Sequence, residues 1–282
     1  MRPVPRLRSL LFAPAVRPDF VERLGERGAD AVVIDCEDAT PANAKAEGRA
    51  NAARLAPVLA AAGVAVTVRV NAQLTEWFAD DVREALSDAL VAVVVPKVES
   101  VDGLDAVDRA LIGAGLDDLG VIAGLETALG VADSRKLLSH PRVVASYFGA
   151  EDFIADMDGV RTETNHEVTY ARSQVALAAR LADVPVIDQI VADFRDDDRS
   201  RRECLEARAL GYAGKLCIHP AQVRIANEAF LPSTTEIDHA RRLLAAYDAA
   251  SADGVASIAF EGRMVDEPVA RQARRLLARA ED

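Results

Sequence analysis

Short apolar runs recur along the first four-fifths of the chain, each followed by a longer stretch whose apolar positions return at helical spacing. Eight runs stand out: Leu7–Phe12, Ala31–Cys36, Ala65–Val70, Val91–Val95, Gly120–Leu125, Val143–Phe148, Val184–Val191 and Lys215–Ile218. They are rich in valine, alanine, leucine and isoleucine and show little polar alternation, the pattern of parallel strands buried on both faces. Between them lie amphipathic stretches, clearest over Pro41–Ala62, Glu163–Ala182 and Asp198–Leu210. Eight β-then-α units predict an α/β protein of the TIM (β/α)8 barrel type over residues 1–230. No Gly-rich GxGxxG turn follows the first run, which argues against a dinucleotide-binding open sheet.

Beyond about Phe230 the pattern changes. A helix is predicted over Glu236–Ala250, with Ile237, Leu243, Leu244 and Tyr247 on one stripe. A hairpin-like stretch, VASIAFEGRMVD, follows with Glu261-Gly262 as its turn, and Asp266 then precedes Pro268 at the start of a last helix. Residues 231–282 therefore read as a C-terminal helical extension that covers the barrel as a lid or packs against another subunit.

The length, 282 residues, and an apolar content of 50% suit one large core, while aromatics at 5% do not suit an aromatic-rich sandwich. A net charge of −12 removes nucleic acid as a leading partner, because such binding rests on clustered Lys and Arg. It does not remove anionic small ligands, which a local pocket of Arg, Lys and backbone N–H groups can hold. Cys36, Cys204 and Cys217 form no CxxC pair and no zinc-spaced cluster, so a reducing cytoplasm is expected. The opening MRPVPRLRSLLFAPAVRPDF has no apolar region of secretory length, and no later span is long enough for a membrane.

In a barrel the chemistry gathers where strand C-termini meet their βα loops. Glu37, Asp38, Arg69, Asn71, Lys97, Glu99, Glu126, Asp152 and His219 all fall at such ends. Glu126, in VIAGLETALG, and Asp152, in YFGAEDFIAD, can converge as a divalent metal site, since Mg²⁺ takes one or two protein carboxylates and keeps several waters. Capping of the helices that follow explains the same two acids equally well.

Several segments together resemble the citrate lyase beta-subunit-like group of the HpcH/HpaI aldolase family: RSLLFAPAVRPDF, ADAVVIDCEDATPANAKAEGR, VTVRVN, VVVPKVES, AGLETALG, YFGAEDFIAD, GYAGKLCIHPAQV and FEGRMVDEP. The resemblance covers nearly the whole chain in order. It implies a Mg²⁺-dependent carbon–carbon lyase, with Mn²⁺ as a substitute metal, acting on a 3-hydroxyacyl-CoA such as malyl-CoA or citramalyl-CoA to give acetyl-CoA and glyoxylate or pyruvate. A malyl-CoA thioesterase, or a citrate lyase beta subunit working with an acyl-carrier protein, are the alternatives.

By the same resemblance Glu126 and Asp152 are the metal ligands, with Glu37 and Asp38 beside the metal through its waters. Arg69 faces the reacting carbonyl and carboxylate, and the backbone at Gly149, Ala150 and Glu151 receives the substrate carboxylate. Phe12, Pro14, Arg17 and Lys45 match the region that takes the CoA thioester. Asp266 is the acid/base residue, delivered into a neighbouring subunit's site in a homotrimer or a dimer of trimers. His219 is expected to fix the last βα turn rather than to react.

Overall fold

Every strand of the barrel is short, and its residues alternate between the barrel interior and the surrounding helices. The computed structural model describes residues 1–2 and 4–281. Eight parallel strands close in chain order: β1 (Ser9–Pro14), β2 (Ala31–Asp35), β3 (Val66–Arg69), β4 (Ala92–Val95), β5 (Gly120–Leu125), β6 (Val143–Phe148), β7 (Val186–Asp188) and β8 (Gly214–Cys217), with β8 pairing back onto β1. The crossovers carry α1 (Pro18–Val21), α2 (Lys45–Ala61), α3 (Phe78–Glu84), α4 (Val101–Gly113), α5 (Ala128–Ala132), α6 (Ser134–Leu138), α7 (Ala150–Asp156), α8 (Thr169–Ala182) and α9 (Asp197–Leu210). This is the TIM barrel that the eight runs predict.

Leu10, Val33, Val94, Ile122, Tyr147, Ile187 and Leu216 belong to one buried cluster that fills the barrel. The alternate residues of the same strands, Leu11, Val32, Ile34 and Val93 among them, are just as buried, which is why the strands read as continuous apolar runs. Closure depends on Gly214, where a Cβ would lie 1.7 Å from the Leu7 carbonyl oxygen.

Two predicted elements shorten for local reasons. Val184–Val191 contracts to β7, and Glu163–Ala182 begins its α-helix only at Thr169, because Asn165 sits at φ 56° in the left-handed region and interrupts the helix. Asn165 belongs to a buried ionic layer. Ile187 and Leu216 point inward, so their neighbours Asp188 and Lys215 meet Arg172 of α8 and Glu203 of α9. Gln189 ties this layer to the Asn165 side chain at 3.0 Å.

The chain forms two compact units, Met1–Asn227 and Glu228–Asp282. Helix α10 (Pro220–Ala229) runs across their boundary. The second unit contains α11 (Thr234–Ala252), a hairpin of β9 (Ile258–Phe260) and β10 (Arg263–Val265), and α12 (Glu267–Glu281). Ser233 and Glu236 form a reciprocal capping box at the start of α11. The hairpin turns on Glu261 and Gly262, both with positive φ, the geometry that matches strand twist in a two-residue turn. Leu243, Leu244, Tyr247 and Val265 form the core of this unit with Ala270 and Ala273. Among the described residues no helix is long and apolar enough to cross a membrane.

Candidate active site

The strand register creates the centre of the site. Pro14 pairs with Asp35 and Asp35 with Arg69, so the C-terminal ends of β1, β2 and β3 meet at one level. Arg69 clasps Asp35 in a bidentate pair, Nε to Oδ1 at 2.7 Å and Nη2 to Oδ2 at 2.6 Å, and its Nη1 lies 3.0 Å from Glu37 Oε2. Burial alone would lower the Arg69 pKa, but Asp35 and Glu37 hold it well above its usual value, so the guanidinium is a fixed positive charge. Its Cζ also lies 5.1 Å from the centroid of the Phe12 ring.

Glu126, the residue after β5, lies fully inside, at 1% exposure. Its Oε1 accepts the Lys97 backbone N–H at 2.8 Å and the Tyr147 hydroxyl at 3.0 Å. Its Oε2 lies against Gly149, where a Cβ would fall only 2.3 Å away, so glycine is required to leave this oxygen its space. Burial pushes the Glu126 carboxyl up to about 7; Arg69 pulls it down, while Glu37 and Asp152 push it further up. Tyr147 is also buried and raised well above its ordinary value, so its phenol stays protonated and donates.

Asp152 lies in the first turn of α7, with Oδ1 3.3 Å from Lys97 Nζ. Lys97 Nζ also reaches Glu37 Oε1 at 2.5 Å and Asp38 Oδ2 at 3.3 Å. Burial raises the Glu37 carboxyl, and Arg69 and Lys97 offset part of that rise. Beside these groups a cavity of about 460 Å³ opens at the C-terminal mouth of the barrel, lined by Phe12, Pro14, Arg69, Glu126, Gly149 and Asp152 among others. Asp35, Glu37, Asp38, Glu126 and Asp152 contribute five carboxylates, against the two cations Arg69 and Lys97.

Such a surplus of carboxylate, with Asp35, Glu37 and Glu126 buried and one Glu126 oxygen kept free of a Cβ, fits a divalent cation. Among the described residues no group of three or more His, Cys, Asp and Glu side chains is arranged to hold a metal. The fit is therefore to a hard cation that keeps water and substrate oxygens, not to a zinc-type cage.

Other expected residues already have partners of their own. Lys45 is buried, and its ammonium donates to the carbonyls of Cys36 and Glu37 at 2.9 and 2.8 Å, so it holds the β2 loop rather than offering a free charge to CoA. Arg17 pairs with Asp19 at 2.8 Å and stacks over Phe20, on the surface. The Gly149 N–H donates to the Leu125 carbonyl, which leaves the amides of Ala150 and Glu151, not three, for a ligand; the Glu151 side chain pairs with Arg161. His219 stacks on Phe194 at 4.9 Å and accepts the Ala221 N–H through Nδ1, a turn-fixing role. Asp266, in the second unit, accepts the Val269 N–H at 3.4 Å at the start of α12.

Asp35 and Tyr147 escape the sequence reading. Asp35 is the last residue of a strand run beside the more conspicuous Glu37-Asp38 pair, and Tyr147 lies inside an apolar run. The available signal was parity: Asp35 and Arg69 close neighbouring strands, each with one polar residue at its end.

Comparison with known proteins bears on the family. The model of the HpcH/HpaI aldolase/citrate lyase family matches residues 8–220. A citrate lyase subunit beta-like protein of Deinococcus radiodurans is 46% identical over 277 residues, 96% of each chain. A (3S)-malyl-CoA thioesterase of Cereibacter sphaeroides is 32% identical over 97% of this chain and 94% of its own. Among solved structures, CitE of Mycobacterium tuberculosis in complex with magnesium, acetoacetate and coenzyme A superimposes with a TM-score of 0.82 at 30% identity, covering 97% of this chain and 98% of that one.

Proposed function

The chain belongs to the HpcH/HpaI aldolase/citrate lyase family of carbon–carbon lyases, and on that premise we propose that it cleaves, or in reverse forms, the C2–C3 bond of a 3-hydroxyacyl-CoA with Mg²⁺. Malyl-CoA and citramalyl-CoA are the substrates in view, with acetyl-CoA and glyoxylate or pyruvate as products. The observation that carries this reading is the convergence of Arg69, Glu126 and Asp152 on one cavity where carboxylates outnumber cations.

Glu126 and Asp152 would hold the ion, with Glu37 and Asp38 outside it. When bound, Mg²⁺ supplies Lewis-acid polarisation of the substrate's oxygens and a template for them. In the cleavage direction a base removes the hydroxyl proton, the C2–C3 electrons pass into the thioester as an enolate, and the hydroxyl-bearing carbon becomes the carbonyl of the 2-oxo acid. One proton then returns to the enolate carbon to give acetyl-CoA. Arg69, locked by Asp35, presents positive charge that needs no reorganisation as negative charge develops on oxygen. The amides of Ala150 and Glu151 orient the substrate carboxylate, and Phe12 and Pro14 give the thioester an apolar wall. Asp266 is the acid/base residue, contributed from a neighbouring copy in a homotrimer; its support is the resemblance of RMVDEP to the family segment.

The similarity to a malyl-CoA thioesterase favours a second reading, in which water cleaves the thioester at the same site. Incubation of the purified chain with Mg²⁺ and malyl-, citramalyl- or citryl-thioesters, with products identified by mass, tests both. Glyoxylate or pyruvate plus acetyl-CoA supports the lyase; free malate supports the thioesterase; turnover only of a carrier-bound citryl thioester would make the chain a citrate lyase subunit. No turnover of any of the three would sink the substrate class.

A further inference from the structure

Lysine is scarce in this chain: Lys45, Lys97, Lys136 and Lys215 are the four among 33 basic residues. Lys136 is a surface residue paired with Asp133. Lys45 and Lys215 are buried, the first on backbone carbonyls and the second on Asp188 and Glu203. Lys97 differs from all three. Its Nζ touches Glu37, Asp38 and Asp152, while its backbone N–H donates to Glu126. One residue thus engages both proposed metal ligands, and it does so at φ 50°, a left-handed conformation that a non-glycine residue adopts only under constraint.

An ammonium is a compact, strongly hydrated point charge with three donors, whereas a guanidinium is a planar fork. Of all side chains it comes nearest to a small inorganic cation. A carboxylate that serves an ammonium at 3.3 Å cannot also serve a second cation without bringing two positive charges close together, where they repel. Lys97 also has somewhere to go. It lines a second cavity of about 480 Å³, whose wall includes Gln73, Leu74, Glu99 and Ser100.

We propose that Lys97 is an internal counter-cation whose ammonium competes with a divalent ion for Asp152 and Glu37, and that it thereby sets the metal affinity of the site while its backbone holds Glu126 in place. The proposal rests on the metal reading above. It makes Lys97 a positioning residue, and it predicts that metal binding releases its amine toward the second cavity.

Calorimetric titration of Mg²⁺ into the full chain provides the test. Lys97→Met is expected to tighten binding by about tenfold, the reduced scale of one nearby unit charge in partly screened surroundings. Lys97→Arg is expected to stay near the wild-type affinity, and Lys136→Met to change nothing. Independently, amine-reactive labelling mapped by mass spectrometry should modify Lys97 faster with Mg²⁺ than without, while Lys45 and Lys215 stay protected. Equal or weaker binding in Lys97→Met, or a labelling rate indifferent to Mg²⁺, overturns the competition. Glu126→Ala separates the two levels. If it abolishes Mg²⁺ binding and Lys97→Met fails to tighten it, only the Lys97 proposal falls; if it leaves Mg²⁺ binding intact, the metal assignment falls and takes the Lys97 proposal with it.

Discussion

Two clusters of buried charge sit on this barrel, one inside its mouth and one between its wall and helices α8 and α9. In the wall cluster, Asp188 receives Arg172 at 3.0 Å and Lys215 at 2.7 Å, and Glu203 receives Lys215 at 3.2 Å and Arg199 at 2.8 Å. Two carboxylates meet three cations, and Asp188, Glu203, Arg172 and Lys215 are sealed from solvent. In the mouth, five carboxylates meet two cations around an open cavity. The titration of the central glutamates registers this difference. Burial would raise both, yet Lys215 and Arg199 hold Glu203 down to about 2, while Glu126 is pushed up to about 7. Ionic density alone therefore does not mark a site; an acid surplus facing a cavity does.

The sharpest way to break this contrast is chemical. Asp266→Asn should lower carbon–carbon cleavage by roughly 10²–10⁴-fold, the usual worth of a general acid or base, while calorimetry still finds Mg²⁺ bound. Unchanged turnover would remove Asp266 from the mechanism. Arg69→Lys should cost roughly 10²–10³-fold in kcat, because a lysine can neither reproduce the fork on Asp35 nor present the same fixed charge.

Next in size is the wall. Lys215→Met removes the ammonium that Asp188 and Glu203 share in a buried layer but leaves each its own arginine, and should cost about 1.5–3 kcal/mol in urea unfolding with no effect on Mg²⁺ affinity. A loss of metal affinity in that variant would join the two clusters functionally.

The pH dependence sharpens the comparison further. Glu126 binds its proton more tightly folded than unfolded, so between about pH 4.5 and 7 its contribution to stability falls as pH rises. Glu203 does the reverse: its contribution is present above about pH 4.5 and is lost as pH drops toward 2. Denaturation in EDTA should show the upper slope flattened by Glu126→Gln and the lower one by Glu203→Gln. Mg²⁺ should restore stability at pH 8 in the wild type and in Glu203→Gln, but not in Glu126→Gln. The smallest effect belongs to Arg17→Ala, which breaks a solvent-screened surface pair and should leave unfolding nearly unchanged and shift KM for a CoA ester by no more than a few-fold.

The barrel was legible because buried parallel strands must be apolar on both faces, and the eight runs of the sequence overlap the eight strands. The elements that shifted did so where a single backbone conformation decided, as at Asn165. At the site, Glu126, Asp152 and Arg69 could be placed at strand ends by counting, and the structure lines one cavity with all three. What counting could not provide was pairing. That Arg69 is already held by Asp35, that Lys45 spends its charge on carbonyls, and that Gly149 serves Glu126 by its missing side chain all depend on strand register and loop path, which no local pattern encodes.

The closure of β8 onto β1 has a consequence in time. Ser9 finds its partner only when the chain has been made as far as Lys215, which at about 5–20 residues per second means that the first strand, already paired with β2, waits roughly 10–40 s for its second neighbour. Through that interval the growing sheet has an open apolar edge. Gly214, whose bareness lets the final strand slide against Leu7, thus ends the period in which the nascent polypeptide is exposed to wrong partners.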